Sequence, residues 1–399
     1  MARRQVSAVK SGFSLSDNSL DLIRIIAAAQ VAIYHIWTRV QPSDSGGWFI
    51  EALRYFPGVP VFFFISGFVI TAAWRRDPDI PRYCVSRAFR ILPAYYAVFL
   101  FSLVSIVVLY SDPVHQNLKQ MGLWMVAQIV VLPSWNPDFL REYGNGTVNA
   151  SLWTIPVEIS FYACAVAIGL WGRDRHRTAR LLISVIAVSL AVNVYAHYFM
   201  TPPGEKADFA TKTLTVSPLS FISWIWMFCS GGLAALWFDT IVRPAVRWFF
   251  PILAIFLVLS VVGTLWEIPG VLRPFGNNVG LANMIAIAAL VFSFAFRYPD
   301  LGRKLLMGND YSYGLYLFHW PVMNLFLELG YSGWYCVVLA LVGSAAMAVI
   351  SWWFVEKPML GLGKSVRERL RKRQACDIPA REPDDRATGI VPVQICTKP

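Results

Sequence analysis

The chain has 399 residues, a mean hydropathy of +0.51 and 15% charged residues, whereas a soluble domain averages about 25% charged residues. Its apolar residues lie in long runs, and a run of about 18 or more predicts a helix that spans the bilayer. The formal net charge of +11 does not indicate nucleic acid, because Lys and Arg cluster at the ends of apolar runs, as in membrane proteins. These features predict an integral protein of the lipid bilayer and exclude a soluble fold.

Ten apolar segments predict an all-α integral membrane protein with ten transmembrane helices, since backbone groups in lipid must form their hydrogen bonds within the segment. An eleventh apolar stretch, over 121–133, is short for a span and is predicted to be a re-entrant or interfacial helix. The ten predicted spans are 20–38, 58–74, 91–110, 150–171, 181–199, 219–238, 249–266, 280–297, 311–328 and 334–354.

Charge predicts the orientation of these spans. The loops 75–90 and 172–180 are rich in arginine, which places both in the cytoplasm. Both termini then lie in the cytoplasm as well, and most of the 35 Lys and Arg residues fall on that side. The chain is predicted to divide into a cytoplasmic N-terminal segment (1–19), a membrane domain (20–358) and a basic, disordered cytoplasmic tail (359–399).

Cysteine spacing and the N-terminal sequence add two further expectations. The six cysteines show no metal-ligand spacing, so neither a disulfide framework nor a metal site is predicted. The first apolar run lacks a small-residue cleavage site and is predicted to be an uncleaved span. No permanently bound cofactor is expected either.

Arg24 and His35 are ionisable residues inside the first predicted span, where such groups are costly and often functional. Eleven residues come to within about 20° of three full helical turns, so both side chains project from one face, about 16 Å apart along the axis. A neutral imidazole deep in the bilayer could take the proton of an alcohol that attacks a thioester. A structural histidine bonded between helices is the alternative.

Arg87 and Arg90 begin the third predicted span on the cytoplasmic side. They are three residues apart and therefore occupy neighbouring positions of one helical face. Two guanidiniums there could bind the phosphates of a ligand that arrives from the cytoplasm. A simple positive-inside flank is the alternative.

Glu158 lies in the segment SLWTIPVEISFY, about 12 Å inside the outer end of its span by helical rise. It shares one face with Ser151 and Tyr162. A carboxylate at that depth needs a partner, and we expect a histidine or arginine of the first span, where the carboxylate would orient the imidazole. A buried ion pair with only a packing role is the alternative.

The segment SYGLYLFHWPV opens the ninth predicted span and carries a second deep histidine. Ser312, Tyr316 and His319 share a face through the spacings i, i+4 and i+7. Tyr and Trp also form belts at membrane interfaces, but His319 lies too deep for such a belt. The residues predicted to contact the acceptor or line its pocket are Ser151, Trp153, Tyr162, Tyr313, Tyr316 and His319.

Together, these segments resemble the acyltransferase 3 family of membrane O-acyltransferases, over about Leu20–Pro358. Members of that family modify bacterial polysaccharides, lipopolysaccharide, peptidoglycan and, in some cases, antibiotics. The resemblance covers nearly the whole chain apart from the tail. The motifs occur in the family's order, as LDLIRIIAAAQVAIYH, GVPVFFFISGF, SRAFRILPAYY, SLWTIPVEISFY, SYGLYLFHWPV and a closing VEKP.

The resemblance implies acyl-CoA as the donor, arriving from the cytoplasm, and a glycan hydroxyl as the acceptor, at a bacterial plasma (inner) membrane. His35 matches the family's catalytic histidine, and Arg24 matches the arginine paired with it. Arg87 and Arg90 match an arginine pair that contacts the donor. On this resemblance we expect a multi-pass O-acyltransferase that moves an acetyl or other acyl group.

Two positions depart from many relatives: Pro60 stands where they have an acidic residue, and Ile159 where they have a second glutamate.

Two other functions also fit ten spans with buried charges, namely a transporter or flippase of lipid-linked sugars and an acyltransferase that acts on a small secondary metabolite. The sequence does not identify the acyl chain, the acceptor, the oligomeric state or the role of the tail. It also leaves open whether the acyl group passes directly to the acceptor or through an acyl-histidine intermediate.

Overall fold

The computed structural model describes residues 15, 17–41, 46–172, 174–198 and 220–376. Within these ranges the chain is helical and forms no strand, apart from one isolated β-bridge between Ile268 and Leu272. The prediction of an all-α fold is therefore confirmed for the part of the chain that the structure describes.

Sixteen α-helices follow one another in those described ranges, with short 3-10 turns at Asp138–Glu142 and Ala150–Trp153 and a π-helical turn at Trp352–Glu356. The helices are α1 (Leu20–Val40), α2 (Gly47–Leu53), α3 (Gly58–Arg76), α4 (Ile80–Leu109), α5 (Ser111–Gln116), α6 (Leu118–Ile129), α7 (Thr154–Trp171), α8 (Arg175–Tyr198), α9 (Phe221–Leu236), α10 (Phe238–Arg247), α11 (Phe249–Leu265), α12 (Leu281–Arg297), α13 (Pro299–Leu306), α14 (Ser312–Glu328), α15 (Gly333–Ser351) and α16 (Lys357–Cys376).

Every predicted span coincides with a helix, but the helices differ in how well they fit a bilayer. Among the described residues, six helical stretches are long and apolar enough to cross a membrane. The pairs α9–α10 and α12–α13, bent by 96° and 75°, raise the number to eight. Helices α11 and α14 have 17 residues each, or about 26 Å at 1.5 Å per residue, against a hydrocarbon core of about 30 Å. Several membrane-crossing helices are thus confirmed, while the number ten stays a prediction.

The stretch 121–133 is helical over Leu118–Ile129. Twelve residues rise only about 18 Å, too little to cross the bilayer. Met121 and Trp124 pack with Ile106 of α4 in a small buried cluster. That this helix is re-entrant or interfacial stays a prediction.

Helices α3 and α9 touch backbone to backbone, because glycines face each other's main chain. A Cβ added at Gly67 would lie 1.8 Å from the carbonyl oxygen of Phe228, and one at Gly231 would lie 1.9 Å from that of Phe64. Small residues let membrane helices approach in this way. The contact fixes the centre of the bundle, against which α1 and α7 also pack.

Helices α1, α4 and α14 run parallel to one another around the site. Along α1, Arg24 contacts Asp310 and His35 contacts His319. Along α4, the carbonyl of Ile91 accepts a hydrogen bond from Tyr313, and Phe101 packs on Phe318. Helix α7 runs the opposite way, since Thr154 at its start bonds Tyr316 in α14, whereas Tyr162, halfway along it, lies beside Tyr83 at the start of α4.

The prediction of disorder from residue 359 onward is wrong for 359–376, which belong to α16. The polar composition did not reveal that this helix docks on α4. A Cβ at Gly363 would lie 2.8 Å from Phe89, and Gln374 bonds both Arg82 and Asp79. The rest of the predicted tail (377–399), and residues 1–14 and 16 of the predicted N-terminal segment, lie outside the described residues.

Candidate active site

Two histidines from different helices meet in the interior of the bundle. His35 of α1 and His319 of α14 place Nδ1 and Nε2 3.1 Å apart, with ring centroids at 5.3 Å. His319 is completely buried, whereas His35 is partly exposed. The histidine pair therefore joins a partly exposed residue to one that is completely buried.

The hydrogen bonds assign the protons of the neutral histidine pair. Nδ1 of His319 lies 2.7 Å from the carbonyl oxygen of Tyr316. A carbonyl oxygen can only accept, so Nδ1 of His319 carries the proton and its Nε2 accepts one from Nδ1 of His35. This assignment leaves Nε2 of His35 unprotonated, as a general base or a nucleophile requires.

The backbone around His319 is fixed by a proline and an asparagine. Pro321 has no N–H, so the carbonyl of Leu317, one helical turn earlier, loses its usual partner. Asn149 Nδ2 donates to that carbonyl at 3.0 Å. Trp320 packs its ring edge against His35 at a centroid distance of 5.1 Å and donates from Nε1 to the carbonyl of Thr147. These bonds hold α14 in the position that brings the two imidazoles together.

Arg24 and Arg90 converge on Asp310, a carboxylate that the sequence analysis did not identify. Arg24 Nη1 donates to Asp310 Oδ2 at 2.6 Å, and Arg90 Nη2 donates to the same oxygen. The other oxygen accepts from the backbone N–H of Ser312 at 3.1 Å. Although burial opposes ionisation, the two guanidiniums hold the pKa of the Asp310 carboxyl below its usual value. An aspartate whose side chain accepts from the N–H two residues later forms an Asx turn, a local signal, but only the fold shows its arginine partners.

Arg87 is the one predicted donor-binding arginine that has no carboxylate partner among the described residues. Its guanidinium lies over the ring of Tyr162 at 5.7 Å. Its Nη2 donates to Ser86, while its buried Nε has no hydrogen-bond partner in the described part of the chain. Arg87 therefore keeps an uncompensated positive charge beside the Arg24–Arg90–Asp310 cluster.

A cavity of about 340 Å³, here called the arginine cavity, collects these cations. Arg24, Arg76, Arg87 and Arg90 all border it. The structure thus brings Arg24, Arg87 and Arg90 to one cavity. Two carboxylates also border it, but the four guanidiniums outnumber them, and such a lining favours an anion.

A second, smaller cavity of about 40 Å³, here called the middle cavity, adjoins the first. The two share Arg24, Ser66, Arg90 and Glu158 as lining residues. The middle cavity also reaches Tyr316, whose carbonyl binds His319. Tyr316 therefore connects this series of cavities with the histidine pair.

The sequence profile of the acyltransferase 3 family, described as an acyltransferase domain, matches residues 17–356. The chain belongs to this family. Nodulation protein 10 of Rhizobium leguminosarum bv. viciae is 29% identical over 371 residues, which cover 88% of this chain and 95% of that protein. The peptidoglycan O-acetyltransferase OatA of Listeria monocytogenes is 23% identical over 86% of this chain, and an O-acetyltransferase OatA of Staphylococcus aureus is 26% identical over 89%. No solved structure matches.

The alignments cover only 55% and 59% of those two O-acetyltransferases, so the chain spans little more than half of their length. Family membership makes the chain an acyltransferase, and its apolar helices make it a multi-pass membrane protein. Among the described residues, no group of three or more His, Cys, Asp or Glu could hold a metal ion.

Glu158 of the acyltransferase does not contact the first helix as the sequence analysis expected. Its carboxylate accepts from Tyr162, four residues later, and from Ser66 Oγ of α3 at 3.4 Å. His35 has His319 as its partner instead. The expected pairing is therefore wrong, because α7 turns this carboxylate toward α3.

The six residues predicted for an acceptor pocket are distributed over several places. Tyr162 borders the arginine cavity, while Tyr313 and Tyr316 border the middle cavity. Ser151 is buried and donates to Asn149, the residue that caps this 3-10 turn. Trp153 lines a third cavity, and His319 belongs to the histidine pair. The structure does not bring all six into one pocket.

The closing VEKP motif supplies a second buried carboxylate, Glu356, to which the sequence analysis gave no role. It is 2% exposed and accepts from Ser351 Oγ at 3.0 Å. Its other oxygen has no hydrogen-bond partner among the described residues. Glu356 lies on the π-helical turn between α15 and α16, close enough to Arg90 to attract its positive charge.

Proposed function

We propose that this acyltransferase moves an acetyl group from acetyl-CoA to a hydroxyl of a carbohydrate, with His35 as the catalytic base. The observation that carries the proposal is the histidine pair, in which the assigned protons leave Nε2 of His35 free. The names of the O-acetyltransferase relatives favour acetyl among the acyl groups and a glycan among the acceptors.

The arginine cavity is the proposed site for the phosphates of the donor. Arg87 offers a guanidinium without a carboxylate partner among the described residues. Beside it, Arg24 and Arg90 share one aspartate, and Arg24 also lies 3.7 Å from Asp21. The uncompensated charge of Arg87 attracts phosphate, and the two neighbouring guanidiniums add hydrogen-bond donors. The middle cavity then leads the thioester end toward Tyr316 and the histidine pair.

In the direct route, Nε2 of His35 takes the proton of the acceptor hydroxyl while that oxygen attacks the thioester carbon. The carbon–sulfur bond breaks, and the imidazolium returns the proton to the departing CoA thiolate. Nε2 of His319 accepts from Nδ1–H of His35 throughout, which stabilises the imidazolium. In the alternative route, Nε2 attacks the thioester carbon first, the carbon–sulfur bond breaks and CoA leaves as the thiolate, which gives an acyl-histidine. The acceptor hydroxyl then attacks the acyl carbon, the carbon–nitrogen bond breaks to restore Nε2, and the hydroxyl proton passes to the thiolate.

We also propose ten crossings, with the arginine cavity on the cytoplasmic side of a bacterial plasma membrane. The parallel course of α1, α4 and α14 supports this number, because the first, third and ninth spans of such a chain must share a direction. The opposite course of α7, the fourth span, supports a helix over 118–129 that does not cross. The arginine-rich start of α4 supports the cytoplasmic side.

The test is acetyl transfer by the purified protein in lipid nanodiscs, with labelled acetyl-CoA and soluble peptidoglycan glycan chains. His35→Ala is expected to lower the transfer rate by about 10²- to 10⁴-fold, the usual contribution of a general base. His115→Ala, at an exposed position, is the matched control and should keep the full rate.

Equal rates for His35→Ala and the unaltered protein would refute the catalytic assignment. A transporter of lipid-linked sugars would in addition keep its transport in His35→Ala and would consume no thioester. Label retained on the denatured protein after donor alone is added, and absent from His35→Ala, would favour the acyl-histidine route.

A further inference from the structure

A third cavity, larger than the two already described, lies beyond the middle cavity. It has a volume of about 460 Å³ and is bordered by Trp124, Trp153 and Trp224; we call it the tryptophan cavity. Its volume falls in the range of about 300–1,000 Å³ that is usual for small-molecule pockets. No step of the proposed donor binding uses it.

The tryptophan cavity lies at the other end of the bundle from the arginines. Ser102 of α4 borders it and is twelve residues after Arg90, or about 18 Å along the helix axis. Helix α7 and its preceding turn border the three cavities in succession, with Trp153, then Thr154, then Tyr162. The order of the cavities therefore follows the axis of the bundle.

The lining of the tryptophan cavity combines indole rings with side-chain amides. The amides belong to Gln128, Asn136, Asn149, Asn277 and Asn278. The Oδ1 atom of Asn278 is buried and has no hydrogen-bond partner among the described residues, so it can accept from a ligand. Sugars fit such a lining, because their C–H faces stack on aromatic rings and their hydroxyls both donate to and accept from amides.

Charge distinguishes this cavity from the arginine cavity. Its one charged lining residue among the described residues is Arg273, whose Nη1 forms an ion pair with Glu267 at 3.1 Å. An anionic ligand would find no uncompensated cation here, whereas the arginine cavity offers Arg87. The lining therefore fits an uncharged ligand.

The tryptophan cavity is separated from His35 by Trp320. Thr147 borders the cavity, and its carbonyl accepts from Nε1 of Trp320 at 2.9 Å. The same indole packs its edge on His35 at 5.1 Å. Trp320 therefore contacts both a residue that borders the cavity and the proposed base.

We propose that the tryptophan cavity is the acceptor subsite and binds an uncharged saccharide unit, held by stacking on its tryptophans and by a hydrogen bond to Asn278 Oδ1. This inference rests on the proposed function for the reaction, and it adds the place and the charge of the acceptor. Donor and acceptor then enter from opposite ends and meet beside the histidine pair.

The test measures binding apart from turnover. The His35→Ala protein in nanodiscs is titrated calorimetrically, without donor, with chitotetraose, maltotetraose and the anionic tetragalacturonate. At least one neutral tetrasaccharide should bind more tightly than the anionic one. Adding Asn278→Leu should weaken that binding about tenfold, the usual effect of one lost hydrogen bond, while adding Gln116→Leu, at an exposed position, should leave it unchanged.

Trp153→Phe provides a second variant, should Asn278→Leu fail to give a folded protein, and it should also weaken binding. The inference would be overturned if the affinity for the neutral tetrasaccharide were the same in Asn278→Leu and Trp153→Phe as in the parent protein. Tighter binding of tetragalacturonate, or no binding of any tetrasaccharide, would also overturn it. Binding that depends on Asn278 in a protein without acetyl transfer would support the subsite and refute the proposed function. Acetyl transfer at an unchanged rate in Asn278→Leu would support the proposed function and refute the subsite.

Discussion

At the scale of single residues, the chemistry depends on which nitrogen of each histidine carries a proton. A carboxylate usually orients a catalytic imidazole, and the sequence offered Glu158 for that purpose. In the structure a neutral imidazole, His319, takes this place, and the carbonyl of Tyr316 fixes its tautomer. An imidazole partner adds no negative charge to the interior, where an unpaired carboxylate would be costly.

His319 should act as a positioning residue for His35, which a pair of variants can test. His319→Leu removes the acceptor for Nδ1–H of His35 and should lower the rate of acyl transfer by about 10- to 100-fold, as second-shell losses do. His319→Gln supplies an amide oxygen as acceptor and should recover part of that rate.

The rates are measured with both variants at saturating donor, after thermal unfolding has shown that each is folded. A purely structural role would make the two variants equally slow at equal thermal stability. An unchanged rate in His319→Leu would show that His319 has no role in acyl transfer.

At the scale of helices, close backbone contacts determine where the functional side chains lie. Helices α3 and α9 meet through Gly67 and Gly231, and α16 meets α4 through Gly363. Leu360 of α16 borders the arginine cavity. The segment predicted as a disordered tail therefore contributes, over its first residues, to the wall of the proposed donor site.

A methyl group at the α3–α9 contact should destabilise the fold. Gly67→Ala places a Cβ against the backbone of Phe228, and overpacking of this kind costs about 1–3 kcal/mol. The matched control is Gly122→Ala in α6, where nothing lies within 4 Å of an added Cβ. That change should stabilise the protein by up to about 1 kcal/mol, since alanine favours helix more than glycine does.

Thermal unfolding in detergent compares these two variants with the unaltered protein. A lower Tm for Gly67→Ala and an equal or higher Tm for Gly122→Ala are expected. Equal melting of both variants would show that α3 and α9 are not in backbone contact.

At the scale of the whole molecule, the charge of the residues that line the three cavities changes along the axis of the helix bundle. The arginine cavity is cationic, the middle cavity is narrow, and the tryptophan cavity has no uncompensated charge among its described residues. This order fits an anionic donor at one end and a neutral acceptor at the other. It also requires the two ends to face opposite sides of the membrane.

Single-cysteine proteins can test that requirement in sealed vesicles. Cys84, exposed near the start of α4, should react with a membrane-impermeant maleimide only from the cytoplasmic side. Asn277→Cys, exposed beside the tryptophan cavity, should react only from the opposite side when the native cysteines are replaced. Labelling of both positions from the same side would contradict the proposed topology.

The sequence by itself determined the helical membrane architecture, the family motifs and the common face of Arg24 and His35. These are local properties: apolar run length decides whether a segment suits a bilayer, and the helical period decides which side chains share a face. Both side chains of that face do contact one neighbouring region, at Asp310 and His319.

Only the tertiary structure decided which residues His35 and Arg24 contact. The contact of His35 with His319 joins residues 284 positions apart, and that of Arg24 with Asp310 joins residues 286 apart. The register between two helices depends on how their surfaces pack, including glycine contacts and the bond from Asn149 to the free carbonyl of Leu317. Helical periodicity contains no information on that register, which is why Glu158 was matched to the wrong helix and Asp310 was missed.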